Sequence, residues 1–237
     1  MSETWIVLGA TSTMARAFSR MAAEKGHDVI LAGRDIDDLE RQAGDLSLRF
    51  GIVAKAMAFD ARDAKTFGPI IDALPAKGLI SAAVFVGSMP EQSAIDADAS
   101  LVEGTIMDSF TGPARFLTTL APIMEQRQGG TVVGVGSVAG DRGRVGNYVY
   151  GSAKAGFHAY MSGLRNRLTR SGGHAVTVKP GFVDTAMTWG IEGMFLVASP
   201  EDVAGDIFRA VEKRKDIIYT PFFWRYIMLI IRSVPER

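Results

Sequence analysis

The segment Tyr150-Gly151-Ser152-Ala153-Lys154 sets a phenol and a primary amine four residues apart. On a helix that spacing puts both on one face. A phenol ordinarily titrates near ~10, and a neighbouring ammonium favours the phenolate and lowers that value. Such a pair can exchange a proton with a carbonyl or alcohol oxygen. Ser137, upstream, adds a hydroxyl that can hydrogen-bond the same oxygen. Tyr148 is a second phenol, but the residue four further on is Ser152, so it is expected to line a pocket. His158 lies one turn beyond Lys154 and is read as a packing residue, with a proton relay as the alternative. His27 and His174 precede strands and are read as structural. No cluster has metal-ligand spacing, so no metal is expected.

The elements that must position these groups alternate. Strand-like apolar runs cover 4–8, 28–32, 52–58, 80–86, 131–135, 175–178 and 217–219. Helical patterns cover 14–25, 36–49, 64–74, 98–126, 148–170 and 200–213. Strands alternating with helices imply βαβ units. The expectation is an α/β fold: a doubly wound parallel sheet of about seven strands with helices on both faces. The domain spans 1–221, with an apolar C-terminal helix, 222–237, appended to it. The stretch 184–198 has no clear period. Ligands in such folds sit at the carboxyl ends of the strands, and each motif falls at such an end.

After the first strand comes Gly9-Ala10-Thr11-Ser12-Thr13-Met14-Ala15. A glycine there permits a tight turn, and small residues let a pyrophosphate approach amides at a helix N-terminus. The second strand ends Gly33-Arg34, where a cofactor with a free ribose hydroxyl usually meets an acid. The guanidinium of Arg34 suits a 2′-phosphate instead and argues for NADP(H). The alternative is a surface arginine paired with Asp35 or Asp38. Asp60, after the third strand, either accepts a hydrogen bond from the adenine amino group or caps the next helix.

The chain has 237 residues, with Lys+Arg and Asp+Glu both 26. That balance gives no nucleic-acid footprint. There is no cysteine, hence no disulfide, thiol nucleophile or thiolate metal site. The start Met1-Ser2-Glu3-Thr4 lacks the basic and apolar regions of a secretory signal, and a cytoplasmic location is expected. The tail 222–234 spans about 20 Å as a helix, short of a ~30 Å hydrocarbon core. Its alternatives are a membrane interface, a partner subunit or the protein's own core.

In this order, these residues resemble the short-chain dehydrogenase/reductase family over nearly the whole chain. The resemblance implies an NADP(H)-dependent oxidoreductase that reduces a carbonyl or runs the reverse reaction. It implies that Ser137, Tyr150 and Lys154 are catalytic, with Ser109 standing where a relay asparagine often sits. It assigns cofactor binding to Gly9, Thr11, Ser12, Thr13, Met14, Arg34, Asp60, Gly87, Tyr150, Lys154, Pro180, Gly181, Val183 and Thr185. Two departures stand out: the second and third glycines of the turn are Thr13 and Ala15, and only Gly87 remains of the stretch after the fourth strand. Members usually pair through long helices as homodimers or homotetramers, for which Gly156 and Ala159 offer small residues. They use the irregular stretch as a substrate lid, here with Met187, Trp189, Met194 and Phe195. The segments 136–142 and 147–150 and the tail 222–228 look like the branch containing decaprenylphosphoryl-2-keto-ribose reductase. That likeness implies a keto sugar on a polyprenyl phosphate, which Arg142 and Arg144 would meet at its phosphate, the alternative for both being ordinary solvated loop charge. The alternatives are reduction of a small soluble ketone, or a nucleotide-sensing protein without turnover.

Overall fold

The computed structural model describes residues 3–185 and 196–236. Seven parallel strands form one sheet in the order β3-β2-β1-β4-β5-β6-β7. They are β1 Glu3–Leu8, β2 Asp28–Gly33, β3 Ala54–Ala58, β4 Leu79–Val84, β5 Thr131–Val135, β6 His174–Pro180 and β7 Ile217–Thr220. Around them lie α1 Thr13–Glu24, α2 Ile36–Phe50, α3 Phe67–Asp72, α4 Gln92–Ala97, α5 Leu101–Ile106, α6 Gly112–Gln126, α7 Tyr148–Thr169, α8 Pro200–Glu212 and α9 Trp224–Ser233. The expected doubly wound α/β domain is present. Strand order reverses between β1 and β4, and that switch point opens the crevice in which ligands of such sheets lie.

Both faces of the sheet are buried, so its strands read as continuous apolar runs. Within β1 the side chains alternate. Trp5 and Val7 join a cluster with Phe18 of α1 and Phe208 of α8, while Ile6 and Leu8 join one with Phe116 of α6 and Phe157 of α7. All eight are at most 4% exposed. At about 1.5–3 kcal/mol per fully buried large side chain, these two layers clamp the sheet.

The helix expected over 98–126 is broken. The Asp98 carboxylate accepts the Ser100 N–H at 3.0 Å, ending α4 in a local turn. A π-helical turn, Met107–Thr111, then separates α5 from α6. Pro113 is its cause: having no N–H, it cannot bond the Ser109 carbonyl four residues back. Gly112 N–H instead reaches the Met107 carbonyl, five residues back.

A third cluster joins Val138, Trp224 and Met228 with Phe182 and Tyr219. It seats α9 over the segments that follow β5 and β6. A Cβ on Gly181 would lie 1.8 Å from Trp224 Nε1, so the indole rests directly on the backbone there. The outward face of α9 leaves Tyr226, Leu229 and Ile230 more than 60% exposed. No helix among the described residues is long and apolar enough to cross a membrane.

Candidate active site

Helix α7 begins at Tyr148, so Tyr150 and Lys154 occupy its first two turns, on the face turned to the sheet. Tyr150 is 7% exposed and Lys154 4%. The ammonium donates to the carbonyls of Val135, at 3.1 Å, and Val86, at 3.3 Å, and lies 5.8 Å from the centre of the Tyr150 ring. Ser137 follows β5, and its hydroxyl accepts the Ala139 N–H at 3.1 Å. Ser137, Tyr150 and Lys154 line a single cavity of about 550 Å³.

The electrostatics differ from the expectation that Lys154 lowers the Tyr150 pKa. Burial pushes the phenol up to about 12, and a hydrogen bond with Ser137 opposes this only in part. Burial likewise pulls Lys154 down to about 8. Desolvation disfavours the charged form of both groups and is the dominant influence on each. At neutral pH Tyr150 therefore holds its proton and is set up as an acid.

Ser109 sits in the π-helical turn, 1% exposed, and lines neither ligand cavity. Its hydroxyl accepts the Ser88 N–H at 3.2 Å and donates to the Ser88 carbonyl at 3.1 Å. A Cβ on Gly87 would lie 3.1 Å from Lys154 Nζ and 3.4 Å from Ser109 Oγ. The three residues thus converge, with Ser109 bracing the loop that Lys154 also holds. Pro113, four residues after Ser109, is the sequence signal that marks this break.

The other end of the crevice is a second cavity lined by Gly9, Thr11, Ser12, Arg34 and Asp60, with Phe85, Val86 and Gly87 shared between the two cavities. Together they make one groove from Arg34 to Tyr150. Gly9 has φ +76°, and a Cβ there would press to 3.1–3.2 Å against Phe85 and Val86, so backbone forms the floor. Ser12 caps α1 by accepting the Ala15 N–H at 3.3 Å. Met14, Pro180, Gly181, Val183 and Thr185 line the Tyr150 end. Thr13 lines neither cavity.

Arg34 is exposed and makes no hydrogen bond or ion pair among the described residues. The alternative partners are engaged elsewhere. Asp35 caps α2 by accepting the Asp38 N–H, and Asp38 pairs with Arg16 and Arg41. Asp60 accepts the Arg62 N–H at 2.8 Å, while Asp63 caps the short helix that follows. A floor without Cβ atoms, a capped helix N-terminus and a solvated guanidinium at the far end fit a nicotinamide dinucleotide.

Residues 3–194 match the family model described as short chain dehydrogenase. The chain belongs to the short-chain dehydrogenase family. An uncharacterized oxidoreductase of Mycobacterium tuberculosis is 33% identical over 98% of this chain and 93% of its own. Sulfoacetaldehyde reductase 2 of Chromohalobacter salexigens is 31% identical over 79% of this chain and 75% of its own. Among solved structures, a short-chain dehydrogenase from Sphingobium yanoikuyae in complex with NADPH superposes with TM-score 0.85 at 21% identity, covering 100% of this chain and 97% of the other. A member from Burkholderia phymatum in complex with NAD gives 0.84 at 20% identity, with the same coverage. These two likenesses describe the fold. The family assignment rests on the matched model and the relatives, and it makes the chain an oxidoreductase.

Several other expectations change. Tyr148 is 46% exposed, lines neither ligand cavity and hydrogen-bonds Asp96 instead. Arg142 turns away from the site, pairing with Glu236 at 3.2 Å. Arg144 does line the cavity that holds Tyr150. Met187, Trp189, Met194 and Phe195 lie outside the described residues. A buried polar cluster around Asp141, which takes in His158, Lys179 and Tyr219, has no counterpart among the expectations drawn from the sequence.

Proposed function

We infer that this short-chain dehydrogenase is an NADP(H)-dependent carbonyl reductase. The observation that carries the reading is a protonated, buried Tyr150 phenol beside Ser137 and Lys154 in one cavity, at the end of a groove that begins at Arg34. Bound NADPH would supply the hydride. Ser137 and Tyr150 hydrogen-bond the substrate carbonyl oxygen, and Tyr150 gives it a proton. Lys154, anchored on the Val135 and Val86 carbonyls, presents its remaining donor to the cofactor ribose and favours the phenolate left behind. Ser109 keeps the Gly87-Ser88 loop in place beside Lys154.

The NADP(H) preference rests on Arg34. A charge-assisted hydrogen bond contributes about 1.5–3 kcal/mol, or about 10–100-fold in affinity. Arg34→Ala is therefore expected to weaken NADPH binding by that factor and leave NADH unchanged in a protein-fluorescence titration. Wild-type preference for NADH, or equal loss for both cofactors, would overturn this assignment.

For the substrate, the reading is an anionic carbonyl compound, with a keto sugar on a polyprenyl phosphate as its specific form. Arg144 supports the anion: it is half-buried in the cavity wall, its guanidinium donates to the Met228 sulfur at 3.3 Å, and although Asp141 acts on it at a distance it forms no ion pair among the described residues. Glu91 is the one carboxylate among the residues lining that cavity, and it is exposed. Asn147 Oδ1, buried on the same wall and without a hydrogen-bond partner in the structure, suits a sugar hydroxyl. The apolar outward face of α9 offers a lipid chain a surface. The relative named for sulfoacetaldehyde, itself an anion, is consistent with the charge. Arg144→Met is expected to raise KM for a phosphorylated ketose about 10-fold or more and to leave a neutral ketone unchanged. The same ketose on a lipid phosphate in vesicles should be the better substrate for the wild type. Equal effects of Arg144→Met on both ketones would remove the anion, and a better soluble substrate would remove the lipid.

A further inference from the structure

We propose that His158 is a positioning residue for Ser137: its Nε2 accepts the Ser137 backbone N–H, and its Nδ1–H is directed at Asp141. The Ser137 N–H to Nε2 distance is 3.3 Å. Nδ1 lies 3.6 Å from Asp141 Oδ1. An acceptor at Nε2 requires the proton to be on Nδ1, so the contact with the serine selects the tautomer. This deepens the reductase reading, since the residue held is the serine that meets the carbonyl.

The niche is built for an imidazole. A Cβ on Gly136 would fall 2.1 Å from His158 Nε2, and one on Gly140 would fall 2.8 Å from Cε1. Two glycines, one on each side of Ser137, thus admit the ring edge-on. Asp141 is in turn fixed from two other strands: Lys179 of β6 reaches Oδ1 at 2.5 Å, and Tyr219 of β7 donates to Oδ2 at 2.6 Å. The Asp141 side chain is only 4% exposed and is held well below the usual carboxylate range by these donors against the opposing effect of burial. It is an anion with three partners, and of these the imidazole accepts the Ser137 N–H. Burial pulls His158 below its ordinary value, in part against Asp141, which keeps the ring neutral at neutral pH and Nε2 free to accept. The chain of contacts Tyr219–Asp141–His158–Ser137 thereby ties the edge of the sheet beneath α9 to the serine. A group that holds a catalytic hydroxyl in place changes rate more than binding, because orientation matters most in the transition state.

The test uses the whole chain with NADPH, and diacetyl as a generic carbonyl probe. Two variants separate the roles: His158→Gln keeps an acceptor near Nε2, while His158→Leu keeps only bulk. His158→Leu is expected to lower kcat about 10-fold or more with KM and NADPH affinity unchanged, and His158→Gln to restore most of the loss. Equal kcat for His158→Leu and wild type, or equal loss in both variants, would overturn the proposal. A second readout needs no turnover. Long-range nitrogen–proton NMR of the wild type should show the Nδ1–H tautomer, and the Ser137 amide proton should move upfield in His158→Leu but not in His158→Gln. An Nε2–H tautomer, or an unmoved Ser137 amide, would overturn the proposal even if no carbonyl were reduced. Failure of the NMR arm is therefore distinct from failure of the reductase reading.

Discussion

Replacing Tyr150 with Phe is expected to lower carbonyl reduction by about 10²–10⁴, the range for loss of a general acid, while NADPH binding is retained. The ring is buried against Ser137 and Lys154, and Phe keeps that packing and loses only the hydroxyl. Ser137 retains its hydrogen bond from Ala139, so the neighbouring hydroxyl is not set loose. The proton removed is one that burial, raising the phenol to about 12, holds in place throughout the neutral range. Among the described residues, two other proton-bearing side chains close by are engaged elsewhere. Tyr148, two residues earlier, points to Asp96, and His158 has its acceptor nitrogen against Ser137. The measurement is NADPH oxidation by the variant beside a fluorescence titration of the same sample. Undiminished turnover would end the assignment of Tyr150 as the acid, and lost binding would show that the substitution had damaged the groove instead.

Much of this was legible because the fold puts its chemistry where the sequence changes character. Each apolar run of the sheet ends in a glycine, a proline or a polar residue, and those ends converge on one crevice. Ser137, Tyr150 and Lys154 could be picked out by type and spacing, and Arg34 by its place after the second strand. What stayed hidden has particular physical causes. The break in the long helix depends on a missing hydrogen bond at Pro113, which periodicity does not register. The protonation of Tyr150 depends on burial, which spacing alone cannot weigh against a neighbouring charge. The Asp141 cluster joins residues from β6, β7, α7 and the loop after β5, and no local pattern connects them. Gly136 and Gly140 carried the only trace of it, and two glycines in a loop have many ordinary explanations.

Lys154→Met is expected to reduce turnover about 10²–10³-fold, comparable to loss of a single oxyanion-stabilising donor, and yet to change the stability of the fold little at pH 7. Burial lowers Lys154 from an ordinary 10.5 to about 8 in the folded chain. At pH 7 the ammonium is charged in both states, and carrying that charge inside costs about 3 kcal/mol, because lowering a pKa tenfold in acidity costs ~1.36 kcal/mol. Methionine removes this penalty. It also deprives the Val135 and Val86 carbonyls of a charged donor, a loss of about 1.5 kcal/mol each at the low end for such bonds. The two effects nearly cancel at pH 7. The sign with pH follows from linkage. Between about 8 and 10.5 the unfolded chain binds a proton that the folded chain does not, so wild-type stability from this group rises across that window. The variant should lose ground to the wild type there, and denaturant midpoints at pH 7 and pH 10 would measure it. The same titration governs the enzyme. As pH rises through about 8, the folded protein loses the charge that holds the phenolate, and the rate of reduction should decline, although Tyr150 itself remains protonated up to about 12. A variant that keeps its activity, or one destabilised by several kcal/mol at pH 7, would mean that Lys154 serves packing rather than the reaction.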